Sequence, residues 1–380
     1  MNLNEIKLSP EEMARYSRHI AIPEFSVEGQ KRLKAAKVLV IGSGGLGSPV
    51  LLYLAAAGVG HIGIVDFDVV DDTNLQRQVL FTVDDIGKSK AETAKVRLLK
   101  LNPYINITVY NTAFTTENAL DIIKDYDVVA DGTDNFPTRY LVNDACVLAG
   151  KINVYASIFR FEGQVSVFNY PQEDGTRSAN YRDLFPEPPP PGLVPNCSEG
   201  GVLGVLPGII GSMQASEVIK VVTGVGEPLN GRLFLFDAAS FTTRVLKVGK
   251  NPDTKITALI NYEQFCGIGQ QEETPLKEVS VQDLKSLIDG NSEFQLIDVR
   301  EPYENDISSL NGELIPLAQV VSAKDKISRD KKVVIYCRSG KRSADAIREL
   351  ETLYHFDNLY NLTGGINAFA KEVDETMKVY

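Results

Sequence analysis

The sequence predicts an α/β protein: a Rossmann-like, doubly wound, mostly parallel sheet followed by a smaller α/β domain. Three observations carry this. Short apolar runs rich in β-branched residues alternate with helical patterns. The first of those runs ends in a glycine-rich turn, Gly42-Ser43-Gly44-Gly45-Leu46-Gly47. Finally, Gly267 to Pro275 holds no core-forming residue beyond Ile268 and divides two pattern blocks. The expected organisation is a domain over 1–267, a linker over 268–275 and a second domain over 276–380.

Taken in order, Lys37 to Gly42 reads as a buried strand, and Ser48 to Ala57 as a small-residue helix that lets backbones approach closely. His61 to Asp68, Ile105 to Val109 and Tyr126 to Ala130 read as further strands, the last followed by a polar turn and a helix from about Thr138. Gly163 to Phe168 and Gly231 to Asp237 alternate more regularly and extend the sheet. Phe185 to Pro195 is too proline-rich for helix or sheet and reads as a long exposed crossover. The second block reads helix (Val281 to Ile288), strand (Gln295 to Val299), strand (Lys332 to Tyr336), helix (Ser343 to Leu353) and strand (Asn358 to Leu362).

Composition excludes several functions. The chain has 380 residues, a formal net charge of −11 and 23% charged residues, an ordinary globular balance but the wrong sign for wrapping nucleic acid or an anionic membrane. No apolar run reaches the roughly 18 residues of a membrane span; Gly200 to Met213 is broken by glycines and Pro207. The first residues carry acidic groups and no apolar signal region, and four cysteines do not make a disulfide scaffold. A reducing cytoplasm fits best.

Gly42, Gly44 and Gly47, with Gly45 between, sit between a strand and a helix, where backbone amides and a helix N-terminus meet phosphate. Asp66 ends the next strand, where an acid bonds ribose hydroxyls. These two signals fit NAD(P) as well as ATP. Beyond them come Asn74, Arg77, Gln78 and Lys90, then Asp131 and Asp134 at the end of another strand. A pyrophosphate needs little more than the glycine turn. Cleaving a triphosphate between α and β phosphorus needs cations for the developing charge and a carboxylate for Mg²⁺. Singly, Arg77 or Lys90 reads as a solvated surface charge; together with Asp66 and Asp134 they favour an ATP site.

RYSRHI (15–20), GSGGLGSPV (42–50), VDFDVVDDTNLQRQVLF (65–81), DGTDNFPTRYLVNDAC (131–146) and SIFRFEGQVSVF (157–168) closely resemble the MoeB/ThiF adenylyltransferases, relatives of ubiquitin-activating enzymes. The resemblance covers about Pro10 to Gly267. It implies a homodimer that adenylates the C-terminal Gly-Gly of a ubiquitin-like sulfur carrier of the MoaD or ThiS type. By motif position Asp66 binds ribose, Arg77 and Lys90 the phosphates and Asp134 the Mg²⁺, while Arg18 reaches into the neighbouring subunit's site. The family usually holds a structural zinc on two Cys-x-x-Cys pairs. The corresponding stretches here are Asn180-Tyr181-Arg182-Asp183 and Glu263-Gln264-Phe265-Cys266, so one thiol of four remains and no structural zinc is expected. Cys266 then reads as an inert buried thiol.

Cys337 follows an apolar strand and opens the loop Arg338-Ser339-Gly340-Lys341-Arg342, which leads into a helix. Converging amides, the helix dipole and three cations favour thiolate and stabilise an outer persulfide sulfur. A Cys-x₅-Arg phosphatase would need arginine where this chain has Ser343. LIDVREPYE (296–304), YCRSGKRS (336–343) and LTGGINAF (362–369) make residues 276–380 similar to a rhodanese domain, with Cys337 at the persulfide position. Cys197, just after the proline-rich crossover, matches by resemblance a cysteine that forms acyl intermediates in related enzymes; from the residues alone it is a loop cysteine. Cys146 reads as packed in a helix.

The whole chain thus resembles a MoeB–rhodanese fusion of the MoeZ type. That implies adenylation of a carrier's terminal glycine followed by delivery of sulfur from Cys337, the sulfur coming from thiosulfate or a cysteine desulfurase persulfide. Two alternatives stay open on the sequence: an NAD(P) oxidoreductase with a regulatory rhodanese, and a non-catalytic scaffold that binds sulfur carriers.

Overall fold

A computed structural model describes residues 3–190, 200–267, 275–290 and 292–379. They form two compact units, Met1–Gln270 and Gln271–Tyr380. Most of the expected linker (268–274), and Pro195 and Cys197 at the end of the crossover, lie outside the described residues.

The first unit is built on an eight-stranded sheet. Its strands are β1 (Lys37–Ile41), β2 (His61–Val65), β3 (Asn106–Tyr110), β4 (Val128–Asp131), β5 (Ile152–Phe159), β6 (Glu162–Phe168), β7 (Arg232–Asp237) and β8 (Thr242–Lys247), in the order β3-β2-β1-β4-β5-β6-β7-β8. β3 to β5 across the first half pair in parallel, and β6 to β8 continue the sheet antiparallel. The later strands therefore extend the sheet as their alternation predicts, whereas the eight-residue β5 carried no expectation.

Helices cover both faces of the parallel part, which is why β1 and β4 are apolar in successive residues rather than alternately. On one face lie α1 (Gly47–Ala57), α2 (Lys90–Leu101) and α4 (Leu206–Thr223), packing Val38, Val40, Leu51, Leu54, Ile62 and Val218 together. On the other lies α3 (Phe136–Leu148), over Leu39, Ile41, Val129 and Tyr155. The glycine- and proline-broken run at 200–213 becomes the start of α4. Pro207 falls in the first turn, where a missing amide costs nothing, and a Cβ on Gly211 would come within 2.5 Å of Pro49 on α1. The breaks are a helix start and a close helix crossing.

Where the resemblance expects cysteine pairs stand polar and aromatic side chains. Asp144 of α3 accepts two hydrogen bonds from Arg182 at 2.8 Å and one from the Tyr262 hydroxyl at 2.8 Å. The Arg182 guanidinium lies 4.5 Å from the Phe265 ring centroid and 5.0 Å from that of Tyr140. Asn180 and Asp183 form a capping box around this turn. Cys266 is buried, and burial pushes its thiol up to about 11 against the pull of Arg182. No group of three or more His, Cys, Asp or Glu among the described residues could hold a metal ion. No helix among them is long and apolar enough to cross a membrane.

The second unit holds a five-stranded parallel sheet in the order β11-β10-β12-β13-β9: β9 (Glu278–Val279), β10 (Phe294–Asp298), β11 (Glu313–Leu314), β12 (Lys332–Tyr336) and β13 (Leu359–Leu362). Its helices include α5 (Val281–Asp289), α6 (Pro302–Ile307), α7 (Lys341–Tyr354) and α8 (Gly365–Glu372). β12 is central and wholly apolar after its first residue, so the next residue, Cys337, is delivered to the middle of the sheet's carboxyl edge.

Candidate functional sites

In the first unit the chain runs from β1 outward through β2 to β3, then returns to β4 on the other side of β1. Two neighbouring strands whose connections leave in opposite directions leave a crevice at their carboxyl ends. A cleft of about 180 Å³ lies there. Gly42 and Gly47 shape its floor. Gly42 has φ +87°, a left-handed conformation that favours glycine, and a Cβ on Gly47 would lie 1.9 Å from the Gly42 carbonyl oxygen. Without a side chain at 47, α1 can begin directly beneath the turn.

The structure brings Gly42, Gly44, Gly45, Asp66, Arg77, Gln78, Lys90 and Asp134 to this one cleft. Asp66 accepts 2.7 Å hydrogen bonds from both the amide and the hydroxyl of Ser43, and another from the amide of Asp68 at 2.9 Å. It organises the glycine turn while lining the cleft. Lys90 is not a solvated charge: it is buried, and its Nζ lies 3.0 Å from Asp68 Oδ2. Arg77 donates to the Thr73 carbonyl at 3.1 Å. Gln78 is buried with an unpartnered Oε1. Asn74 does not line the cleft; its carbonyl accepts from the amides of Arg77 and Gln78 and so fixes the turn that presents them. Arg18 is exposed on its helical turn and is not part of its own chain's cleft.

The acidic pair expected at the end of β4 divides. Asp134 is exposed at the cleft, and the Asn135 side-chain amide lies 3.5 Å from its Oδ1. Asp131, which the sequence placed at the same edge, is wholly buried and faces away. Its Oδ1 accepts from the Thr133 hydroxyl at 2.6 Å and the Thr133 amide at 3.0 Å, while Oδ2 has no partner. Burial pushes its carboxyl above the usual range, with Arg139 pulling the other way. The last residue of a strand still follows the sheet's alternation, and at Asp131 that points into the layer under α3. Arg139, missed by sequence reasoning, also lines the cleft; buried itself, it donates to the Thr133 carbonyl at 3.2 Å. Asp131 and Arg139 thus grip Thr133 from two sides and hold the turn that presents Asp134. The stretch DGTDNFPTR contained both, but nothing in its spacing distinguishes a clamp from a ligand.

In the second unit, Cys337 is 1% exposed. The Gly340 amide donates to its Sγ at 3.2 Å, made possible by φ +93° at Gly340. The loop's carbonyls are turned outward and held: Ile366 donates to the Cys337 carbonyl at 2.9 Å and Asn367 to that of Arg338 at 3.1 Å. A Cβ on Gly365 would fall 2.5 Å from the first of these oxygens, so α8 can approach the loop only through glycine. With those carbonyls engaged outside, the Gly340 amide faces the sulfur, the kind of donor that suits an anion. Arg342 is not a loose cation. Glu304 of α6 accepts from both its terminal nitrogens, at 2.6 and 2.7 Å. Behind it Arg300 and Asp298 form a wholly buried ion pair, and Arg300 donates to the Glu304 carbonyl at 3.2 Å. Glu304 and Ser343 touch this loop, a contact that the sequence reading did not assign to either.

A family model described as the ThiF family matches residues 16–258, and one described as a rhodanese-like domain matches residues 280–372. The chain is 50% identical to a probable adenylyltransferase/sulfurtransferase MoeZ of Mycobacterium tuberculosis, over 98% of this chain and 96% of that one. It is 50% identical to a sulfur carrier protein adenylyltransferase of Thermus thermophilus, over 69% of this chain and the whole of that one. Among solved structures, E. coli MccB with ATP superposes with a TM-score of 0.55 at 26% identity, covering 64% of this chain and 74% of that one. The chain belongs to the ThiF family and carries a C-terminal rhodanese-like domain.

Proposed function

We propose that this enzyme, an adenylyltransferase and sulfurtransferase, uses ATP to adenylate the C-terminal glycine of a ubiquitin-like sulfur-carrier protein and then transfers sulfur to it from a Cys337 persulfide. The observation that carries this reading is the presence in one chain of a cleft lined by Lys90, Arg77 and an exposed carboxylate, Asp134, and of a buried cysteine that accepts from an amide. The name borne by its relative in M. tuberculosis couples the two activities, and that of its relative in T. thermophilus supplies the carrier as the acceptor.

A carboxylate resists attack because charge and resonance protect it. Its oxygen attacks the α-phosphorus of ATP, pyrophosphate leaves, and a mixed anhydride forms. The glycine-turn amides and Asp66 hold the nucleotide, and Arg77 and Lys90 offset charge on the departing phosphates. Asp134, an open carboxylate, would hold Mg²⁺, a hard cation that would offset charge on the phosphates. The outer sulfur of the Cys337 persulfide then attacks the activated carbonyl and AMP leaves, giving an acyl disulfide on Cys337. A thiol, from an external reductant or from Cys197, attacks Cys337 Sγ, so that the carrier departs as thiocarboxylate and a disulfide remains on Cys337 for a further thiol to reduce. Arg18 completes the cleft of a neighbouring copy in a homodimer. Thiosulfate or a cysteine desulfurase persulfide reloads Cys337, in the cytoplasm.

The test is ATP–pyrophosphate exchange with and without a carrier ending in Gly-Gly, followed by the carrier's mass. Exchange that needs the carrier, and a carrier that gains one oxygen-to-sulfur replacement only when thiosulfate is present, are expected. Exchange indifferent to every glycine-tailed protein would overturn the reading.

A further inference from the structure

Ser343 extends the sulfur site beyond the loop that carries Cys337. It lies in the first turn of α7 and is wholly buried. Its Oγ is 3.5 Å from Cys337 Sγ, 3.1 Å from the Gly340 carbonyl oxygen and 2.6 Å from Asn361 Oδ1. Asn361 stands on β13, the strand beside β12, and is 6% exposed. A serine hydroxyl has one proton to give and two lone pairs with which to accept. At 2.6 Å the Asn361 carbonyl is the acceptor that takes it. Ser343 then presents lone pairs to sulfur, which matches a thiol: S–H donates to Oγ and O–H donates to Asn361. A thiolate or a persulfide anion needs the reverse, a donor facing sulfur.

We propose that Asn361 is a positioning residue for the sulfur chemistry: by taking the Ser343 proton it decides whether that hydroxyl accepts from or donates to Cys337. The proposal rests on Cys337 being the sulfur carrier. When Cys337 loses its proton to solvent, the S–H···Oγ and Oγ–H···Oδ1 hydrogen bonds break and one Oγ–H···S⁻ bond forms. Asn361 Oδ1 is left without its donor in a buried place, a cost set against turning the hydroxyl toward sulfur. Sulfur loading and release thereby turn the hydroxyl.

Other charged groups near Cys337 are fixed by their own partners or lie in its loop. Arg338, Lys341 and Arg342 are on the loop and start of α7, with Arg342 held by Glu304 of α6. Tyr303 of α6 lies near Arg338 and Arg342. Asp298 of β10 is paired with Arg300, which stacks on the Tyr336 ring. β13 carries no charged residue, and those of α8 are Lys371 and Glu372 in its last turn. Substitutions at 343 and 361 leave all of these in place.

The experiment measures the rate of Cys337 alkylation by iodoacetamide against pH in the full chain, with the modified peptide identified by mass. Asn361→Ala frees the hydroxyl for sulfur and is expected to lower the midpoint, making alkylation at neutral pH roughly three- to tenfold faster. Ser343→Ala is expected to raise the midpoint by about one pH unit, roughly tenfold slower. In the Ser343→Ala background, Asn361→Ala is expected to add nothing. Asn361→Asp keeps the volume and a stronger acceptor, so it is expected to raise the midpoint, and it serves if the alanine variant fails to fold. An unmoved midpoint in a folded Asn361→Ala protein, a downward shift in Asn361→Asp, or an equal effect of Asn361→Ala with and without Ser343 would overturn the proposal. Thiosulfate:cyanide transfer by the wild type, read alongside, tests separately whether Cys337 carries sulfur at all.

Discussion

The two candidate sites solve opposite problems with opposite means. The cleft over β1 and β4 must gather a strongly charged nucleotide, and it does so with long side chains: Lys90 set against Asp68, Arg77 on its turn, and Asp134 left open. The loop after β12 must hold one polarizable atom away from water. There the sulfur is buried, its neighbours are an amide and a hydroxyl, and the cation Arg342 is taken by Glu304. Charge is spent on the ligand in the first site and on the scaffold in the second. Phosphate chemistry develops charge over several oxygens and rewards cations preorganised around them; a nucleophilic sulfur loses reactivity if a full charge sits on it, so weaker, fixed dipoles serve it better.

The sharpest way to break this contrast is to remove one centre at a time. Asp134→Ala is expected to cut carrier-dependent pyrophosphate exchange by about two to three orders of magnitude and leave thiosulfate:cyanide transfer unchanged. Cys337→Ala should do the reverse. Two folded variants that each lost both activities would show that the sites are not separate.

Next in size comes the cluster on Asp144. Arg182→Met removes one partner of a buried pair and strands the other, an expected loss of about 3 kcal/mol, read as a lower Tm of the first unit. Dialysis against a chelator is expected to leave the wild-type Tm unchanged, since Arg182, Tyr262 and Phe265 already join the two segments. A falling Tm would show that a metal does part of that work.

Glu304→Gln probes the scaffold charge of the second site, with an expected cost of about 2 kcal/mol. Burial pushes the Glu304 carboxyl up, but the Arg342 hydrogen bonds and charge outweigh it and hold the group below its ordinary 4.5. A depressed folded value means stability present above 4.5 and lost as pH falls through the lower folded value. The Tm gap between wild type and Glu304→Gln should therefore stand open at neutral pH and close in acid. A gap that widened in acid would contradict the assignment. The smallest effect is expected at Cys266: replacement by alanine should cost about 1 kcal/mol in packing and neither activity.

These differences mark how far the residues could be read alone. The glycine turn, the strand before it, the basic cysteine loop and the alternation of strands and helices are local patterns, written within a few consecutive positions, and the chain realises them where the patterns lie. Asp134, Lys90 and Cys337 could be picked out as candidates for the same reason: each follows a recognisable strand or sits in a run of motif residues, and the structure places the first two in one cleft. The long α4 was not, because Pro207 and Gly211 read as interruptions until Pro49 and Leu46 of a distant helix are seen to need the space.

Which way side chains turn, and whom they meet across long separations, is set by packing. Asp131 and Asp134 are three positions apart and chemically identical, yet one supports the other's turn because sheet alternation sends it inward. Glu304 meets Arg342, and Ser343 meets Asn361, across intervals that no local periodicity encodes. A hydrogen bond is a property of two groups at about 3 Å. Strands, helices and candidate groups could be read from consecutive residues; the hydrogen-bond partners of those groups could not, because they lie on strands and helices far apart in the chain.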